Sequence, residues 1–172
     1  MRRLLAAVAL VSAVAALHAQ PDPQSAPYRY RAAIAALLQL KPGMTAVEVN
    51  PTPGVVAPEM LKVVTASGRA ITAALDVKTG HTSLEPASAD AVALVSALTR
   101  TDQYTPLFDG IAGAVKPGGV LLVVDVPQEN DGKKVVGLEA EDVVKLATAA
   151  GFKREAESGI VPGHYAIRFR KQ

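Results

Sequence analysis

Apolar and polar positions change period along the chain in a regular way. Tyr30, Ile34, Leu37, Leu38 and Leu40 recur at helical spacing, so residues 28–39 read as an amphipathic helix. "KPGM" (41–44) breaks it with a turn, and "TAVEVN" (45–50) follows as a short strand. The next helix is expected to start near Pro58, because proline is tolerated only in a first helical turn. It carries Met60, Leu61, Val63 and Val64 and stops before Gly68. "RAITAALD" (69–76) reads as a second strand, and residues 77–89 show no clear period. "DAVALVSAL" (90–98) is nearly all apolar, the pattern of a strand buried on both faces. "TPLFDGIAGAV" (105–115) is a helix that "KPGG" (116–119) ends, and "VLLVVDV" (120–126) is the strongest strand. "LEAEDVVKLATAAGF" (138–152) is a helix with an acidic start and Gly151 past its end. Two short strands near 153–158 and 164–170 close the chain.

Strand and helix alternate through most of this pattern. It predicts an α/β fold with a mostly parallel sheet and helices on both faces. Only "GIVPG" separates the last two strands. So short a link cannot cross over, so these strands should form an antiparallel hairpin at the C-terminal end.

The first residues stand outside this fold. "MRRLLAAVALVSAVAALHAQ" has two arginines, an apolar run from Leu4 to Leu17 and the small residue Ala19. It reads as a secretory signal peptide over 1–19, with cleavage after Ala19 or, as an alternative, Ala16. The run is shorter than the roughly 20 residues of a spanning helix. An uncleaved membrane anchor is the competing reading, and the only one that would bring a membrane into contact with the chain. Residues 20–27 are then a polar, proline-rich lead-in, and 28–172 form one domain. The expected location is periplasmic or secreted.

Loss of Arg2 and Arg3 takes 18 basic residues to 16, equal to the 16 acidic ones. A neutral chain with no block of Lys and Arg and no aromatic platform argues against nucleic acid as a partner. The absence of cysteine removes disulfides, thiolate metal sites and cysteine nucleophiles. His81 and His164 are isolated, with no metal-ligand spacing, so no metal is expected. The Walker A pattern, G-x-S-x-G and H-E-x-x-H are all missing from the sequence.

Five stretches together resemble class I S-adenosylmethionine-dependent methyltransferases, with their Rossmann-like fold. More narrowly, they resemble the small exported "predicted methyltransferase" group. The stretches are "LQLKPGMTAVEVNPTPG", "ASGRAITAALD", "FDGIAGAVKPGGVLLVVDV", "LEAEDVVKLATAAGFKREAES" and "HYAIRFRK". They span about 28–171, nearly the whole mature chain. The resemblance implies S-adenosylmethionine as cofactor and an unidentified small molecule as methyl acceptor.

It also assigns roles. Glu48 matches the acid that ends the first strand, and Gly54 matches the third glycine of the Gly-x-Gly-x-Gly turn. Asn50 and Thr52 stand where the other two glycines would be. Asparagine tolerates the left-handed region, while a β-branched threonine resists it. Pro51 and Pro53 offer no N–H. This first motif is therefore degenerate. Asp76, 22 positions after Gly54, matches the carboxylate that accepts from ribose hydroxyls, or is a solvated loop aspartate. In the loop after the fourth strand of the family, Thr99 and Thr101 stand near polar acceptor-facing positions, and Asp102 and Tyr104 match better. Asp102 and Asp125 are the candidate catalytic residues, with a helix cap and a turn-initiating aspartate as their plain alternatives. Glu48, Asn50, Gly54 and Asp76 are the candidate cofactor ligands.

Two functions remain open at this point. One is a methyltransferase for a small acceptor. The other is an exported protein of the same fold that has lost the cofactor and acts as a binding or structural module. The proline-rich loop favours the second. So does export, since S-adenosylmethionine is made in the cytoplasm. Sequence gives no oligomeric state.

Overall fold

The computed structural model describes residues 22–50, 54–130 and 135–172. The leader at 1–19 and the loop residues Pro51, Thr52 and Pro53 lie outside the described residues. No helix among the described residues is long and apolar enough to cross a membrane.

Six strands form one sheet. They are β1 (Thr45–Val49), β2 (Arg69–Ala73), β3 (Ala89–Val95), β4 (Val115–Asp125), β7 (Phe152–Ser158) and β8 (Tyr165–Lys171). Their order is β2-β1-β3-β4-β8-β7. The first four are parallel, and β8 runs antiparallel to both β4 and β7. The expected parallel sheet with a C-terminal antiparallel hairpin is what the chain forms. A separate two-residue pair joins β5 (Glu129–Asn130) to β6 (Val135–Val136).

Helices cover both faces. Val47, Val49, Leu94, Leu121 and Val123 face α4 (Tyr104–Ala114) and α5 (Ala140–Ala149). Ala46, Ala91, Ala93, Leu122 and Val124 face α2 (Arg31–Leu37) and α3 (Ala57–Val64). These residues alternate along each strand, as the two-residue period of a strand requires. Both sets are buried, which explains the near-continuous apolar runs of β3 and β4. Each such Val, Leu or Ile contributes about 1.5–3 kcal/mol by leaving water.

Several boundaries differ from the sequence pattern. The first helix divides into α1 (Ala26–Arg29) and α2, with Tyr30 between them at φ −100°, ψ 12°. The strand expected through Asp76 ends at Ala73. The strand expected through Leu98 ends at Val95, because Ser96 turns at φ +49°. β4 begins at Val115, yet its partners jump from Val115 opposite Ala89 to Val120 opposite Ala91. Residues 116–119 therefore loop out of the ladder as a bulge while α4 ends at Ala114, as the turn reading required.

Residues 74–88 lead from β2 to β3 past β1 with no helix, holding only an isolated bridge between Leu75 and Thr82. At the N-terminal edge of the sheet, Asp90 accepts from Thr45 N (2.8 Å) and Lys116 Nζ (2.8 Å). One carboxylate thus ties β1, β3 and β4 together.

Candidate functional site

The parallel strands β1, β3 and β4 end on one edge, and the polar side chains buried on folding collect there. Among the described residues, Glu48, Asn50, Thr101 and Asp125 are the buried polar or charged ones. β2 lies to one side of β1 and β3 to the other, so the chain direction switches between β1 and β3. Open α/β sheets bind ligands in the crevice outside such a switch.

Glu48 is fully buried near the end of β1. Its Oε1 accepts from Val55 N (2.9 Å), and Oε2 accepts from Val56 N (2.9 Å) and Ala57 N (2.7 Å). Asn50 Nδ2 adds a longer contact to Oε1 at 3.4 Å. These amides belong to the start of α3, where unpaired N–H groups and the helix dipole both favour a negative charge. Glu48 thereby pins the turn between β1 and α3. A ligand anion finds those three amides already engaged.

Gly54 sits at φ +91° beside this anchor, a conformation that suits glycine. A Cβ there would meet none of the described residues within 4 Å. Asp76 lies on the turn after β2. Its Oδ1 accepts from Lys78 N (3.0 Å), and its carbonyl accepts from Gly80 N (2.8 Å). Bonds from the Lys78 amide and then the Thr79 hydroxyl hold its carboxyl below the usual range. The side chain is exposed, so an ionised carboxylate caps its own turn and still faces solvent.

Thr101 is a structural residue: its hydroxyl donates to Val77 O (2.7 Å) and accepts from Gln103 N (3.0 Å). It fastens the β2–β3 connection to the loop before α4. Asp102 is exposed on that loop and accepts from Gln103 Nε2 at 2.8 Å. The α4 N-cap is Gln103, with no side-chain cap bond, so Asp102 does not fill the cap position. Asp125, at the end of β4, is 1% exposed and accepts from Leu98 N (2.8 Å) and Val126 N (2.9 Å). Burial pushes its carboxyl up, against the amides of Leu98, Val126 and Ala97 and the nearby His164.

Two tyrosines join these acids. Tyr104 OH lies 3.3 Å from Leu98 O and 3.4 Å from Gly137 O. Burial, then the charges of Asp102 and Asp125, raise its pKa. Tyr165 stands opposite Asp125 in the β4–β8 ladder. Its hydroxyl is buried and has no hydrogen-bond partner among the described residues. Burial first, then Asp125, Glu139 and Tyr104, push it above the ordinary tyrosine range. Sequence reasoning missed Tyr165, whose setting depends on a ladder register between distant segments. It also missed Ser96, where an apolar run masked the left-handed turn. Among the described residues, no group of three or more His, Cys, Asp or Glu could hold a metal ion.

The described residues fit an adenosine-type cofactor at two points. Asp76 offers an exposed carboxylate for ribose hydroxyls, and no described residue crowds the position a side chain at Gly54 would take. Glu48 and Asn50 support that turn from behind.

No protein-family model and no curated protein matches the chain. Solved structures do. An S-adenosylmethionine-dependent methyltransferase from Aquifex aeolicus has 16% identity and a TM-score of 0.65, over 89% of this chain and 100% of that one. An S-adenosylmethionine-dependent methyltransferase from Mesorhizobium loti has 14% identity and a TM-score of 0.60, over 86% and 99%. The cyclase SpnF has 16% identity and a TM-score of 0.65, over 91% and 87%. The chain has the class I methyltransferase fold, and identities this low carry the fold alone.

Proposed function

We propose that this chain is an S-adenosylmethionine-dependent methyltransferase for a small acceptor, working outside the cytoplasm behind a cleaved leader. One observation carries the reading. The switch between β1 and β3 has a nucleoside-compatible half, Gly54 and Asp76, next to a polar half built from Asp102, Tyr104 and Asp125. When bound, S-adenosylmethionine supplies an electrophilic methyl group on a sulfonium. The chain's own part is chiefly placement, which can lower a barrier by about 7–11 kcal/mol when two reactants are held in line. Asp76 would hold the ribose. Glu48 and Asn50 would keep the β1–α3 turn in shape. Tyr104, which remains protonated, would orient the acceptor through its hydroxyl together with Asp102 and Asp125.

A second reading is favoured by Glu48. The first-turn amides of α3 are spent on that carboxylate, and Pro51 and Pro53 add no donors. On this reading the protein keeps the fold and binds something other than the cofactor. The likeness to a cyclase fits the general rule that a fold hosts many functions.

Calorimetric titration of S-adenosylmethionine and S-adenosylhomocysteine into the purified protein separates the two. The transferase reading expects micromolar binding, about −8 kcal/mol. No heat and no thermal shift at millimolar ligand would exclude it and leave the second.

A further inference from the structure

On the same edge of the sheet, a cavity of about 470 Å³ opens between the start of α5 and the β7–β8 turn. Ligand pockets for small molecules run from about 300 to 1,000 Å³, so this one suits a compact ligand. Its charge is one-sided. Among the described residues, Glu139 and Glu157 line it, and no lysine or arginine does. Glu157 is partly neutralised by its ion pair with Arg154. Glu139 is exposed and has no ion pair among the described residues.

Two further groups in the wall are built to accept or share a proton. His164 Nδ1 lies 2.9 Å from Pro162 O. A carbonyl only accepts, so Nδ1 carries a proton and Nε2 is the ring nitrogen left for a ligand. Tyr165 also lines the cavity and is 6% exposed. Its hydroxyl has no partner among the described residues. A buried polar group without a partner is rare and calls for one. Val161 and the tyrosine ring supply apolar surface on the same wall.

We propose that this cavity binds a small protonated amine, with Glu139 as its counter-charge and Tyr165 and His164 as hydrogen-bond partners. An ammonium brings several N–H donors and a positive charge, which is what an acidic wall with a lone pair and an unpaired phenol can use. The tyrosine hydroxyl is closed to solvent, so the ammonium reaches it only by displacing part of the cavity wall. That this amine is the methyl acceptor rests on the transferase reading above and requires the ammonium first to lose a proton to water, which frees the lone pair that attacks. The binding itself does not.

The test uses the purified protein without any cofactor, at neutral pH. Benzylamine, benzyl alcohol and benzoate are titrated as probes of one shape and three charges. Benzylamine is expected to bind, with the alcohol at least about tenfold weaker and benzoate weaker still. Glu139→Gln, a surface change, should weaken benzylamine about tenfold. Tyr165→Phe should weaken it severalfold and, without ligand, raise the melting temperature, because an orphaned hydroxyl is removed. Equal binding of amine and alcohol, no benzylamine binding at millimolar concentration, or an unchanged Glu139→Gln would overturn the proposal. So would a lower melting temperature for Tyr165→Phe, which would mean the hydroxyl already has a partner. Failure to bind S-adenosylmethionine leaves these results standing. An amine that binds but is never methylated removes only its role as acceptor.

Discussion

Removing the carboxylate of Glu48 should unsettle the whole β1–α3 turn. In Glu48→Ala, the amides of Val55, Val56 and Ala57 lose an acceptor at 2.9, 2.9 and 2.7 Å. A hydrogen bond to a charged group is worth about 1.5–3 kcal/mol net. Three of them sum to more than the real loss, because water enters the space left behind and recovers part. A loss of about 3–5 kcal/mol is expected, a large share of a domain stability of 5–15 kcal/mol. Glu48→Gln is the sharper variant, because it keeps the shape. Oε1 serves Val55 and Asn50, while Oε2 serves Val56 and Ala57. Whichever position the new NH2 takes, it points at donors. That variant should lose about 2–4 kcal/mol. For a domain of this size each kcal/mol moves the melting temperature by about 2–4 °C. Urea denaturation followed by circular dichroism measures the loss directly, with an unchanged slope showing that the two-state comparison holds. A Glu48→Gln protein within about 0.5 kcal/mol of the parent would refute the reasoning, since that is the range of an ordinary surface change.

Two further expectations follow from the same geometry. Asp125 has a folded-state pKa above its unfolded value of 3.8, so the folded state binds more protons there and its contribution weakens as pH rises from 3.8 through the folded pKa. The stability difference between the parent and Asp125→Asn should therefore move in favour of the variant across that window, which urea titrations at several pH values will show; a flat difference would remove the burial argument. Gly80→Ala and Gly54→Ala should differ although both glycines have positive φ, at +73° and +91°. A Cβ at Gly80 meets Gln103 O at 2.4 Å, and one at Gly54 meets no described residue within 4 Å. Thermal melts should give about 1 kcal/mol for Gly54→Ala, the usual left-handed penalty, and clearly more for Gly80→Ala. Equal losses would mean the turn at Gly80 yields freely.

The sheet was legible because its central strands advertise themselves. Residues 91–95 and 120–124 are apolar without interruption, and that requires cover on both faces. The hairpin was legible from a link too short to cross over. The β2–β3 connection was not, because residues 74–88 are held by single bonds from other segments, such as Thr101 to Val77 O and Ala87 N to Gly113 O. Such bonds leave no period in the sequence. The acids of the site could be named from position alone, but their work could not. An acid near the end of a strand looks the same whether it meets a ligand or, like Glu48, turns back to three amides that follow it by 7–9 positions. Tyr165 looked like one more strand residue. Its isolation appears only when the register sets it opposite Asp125.

The last strand of the chain, β8, is an interior strand of the sheet, between β4 and β7. That placement sets a timetable for synthesis. Domains form as the chain emerges, N-terminal parts first. Here β4 keeps one open edge, and β7 has no neighbour, until β8 has been made. Damage to β8 would therefore open the sheet on two sides at once, along β4 and along β7.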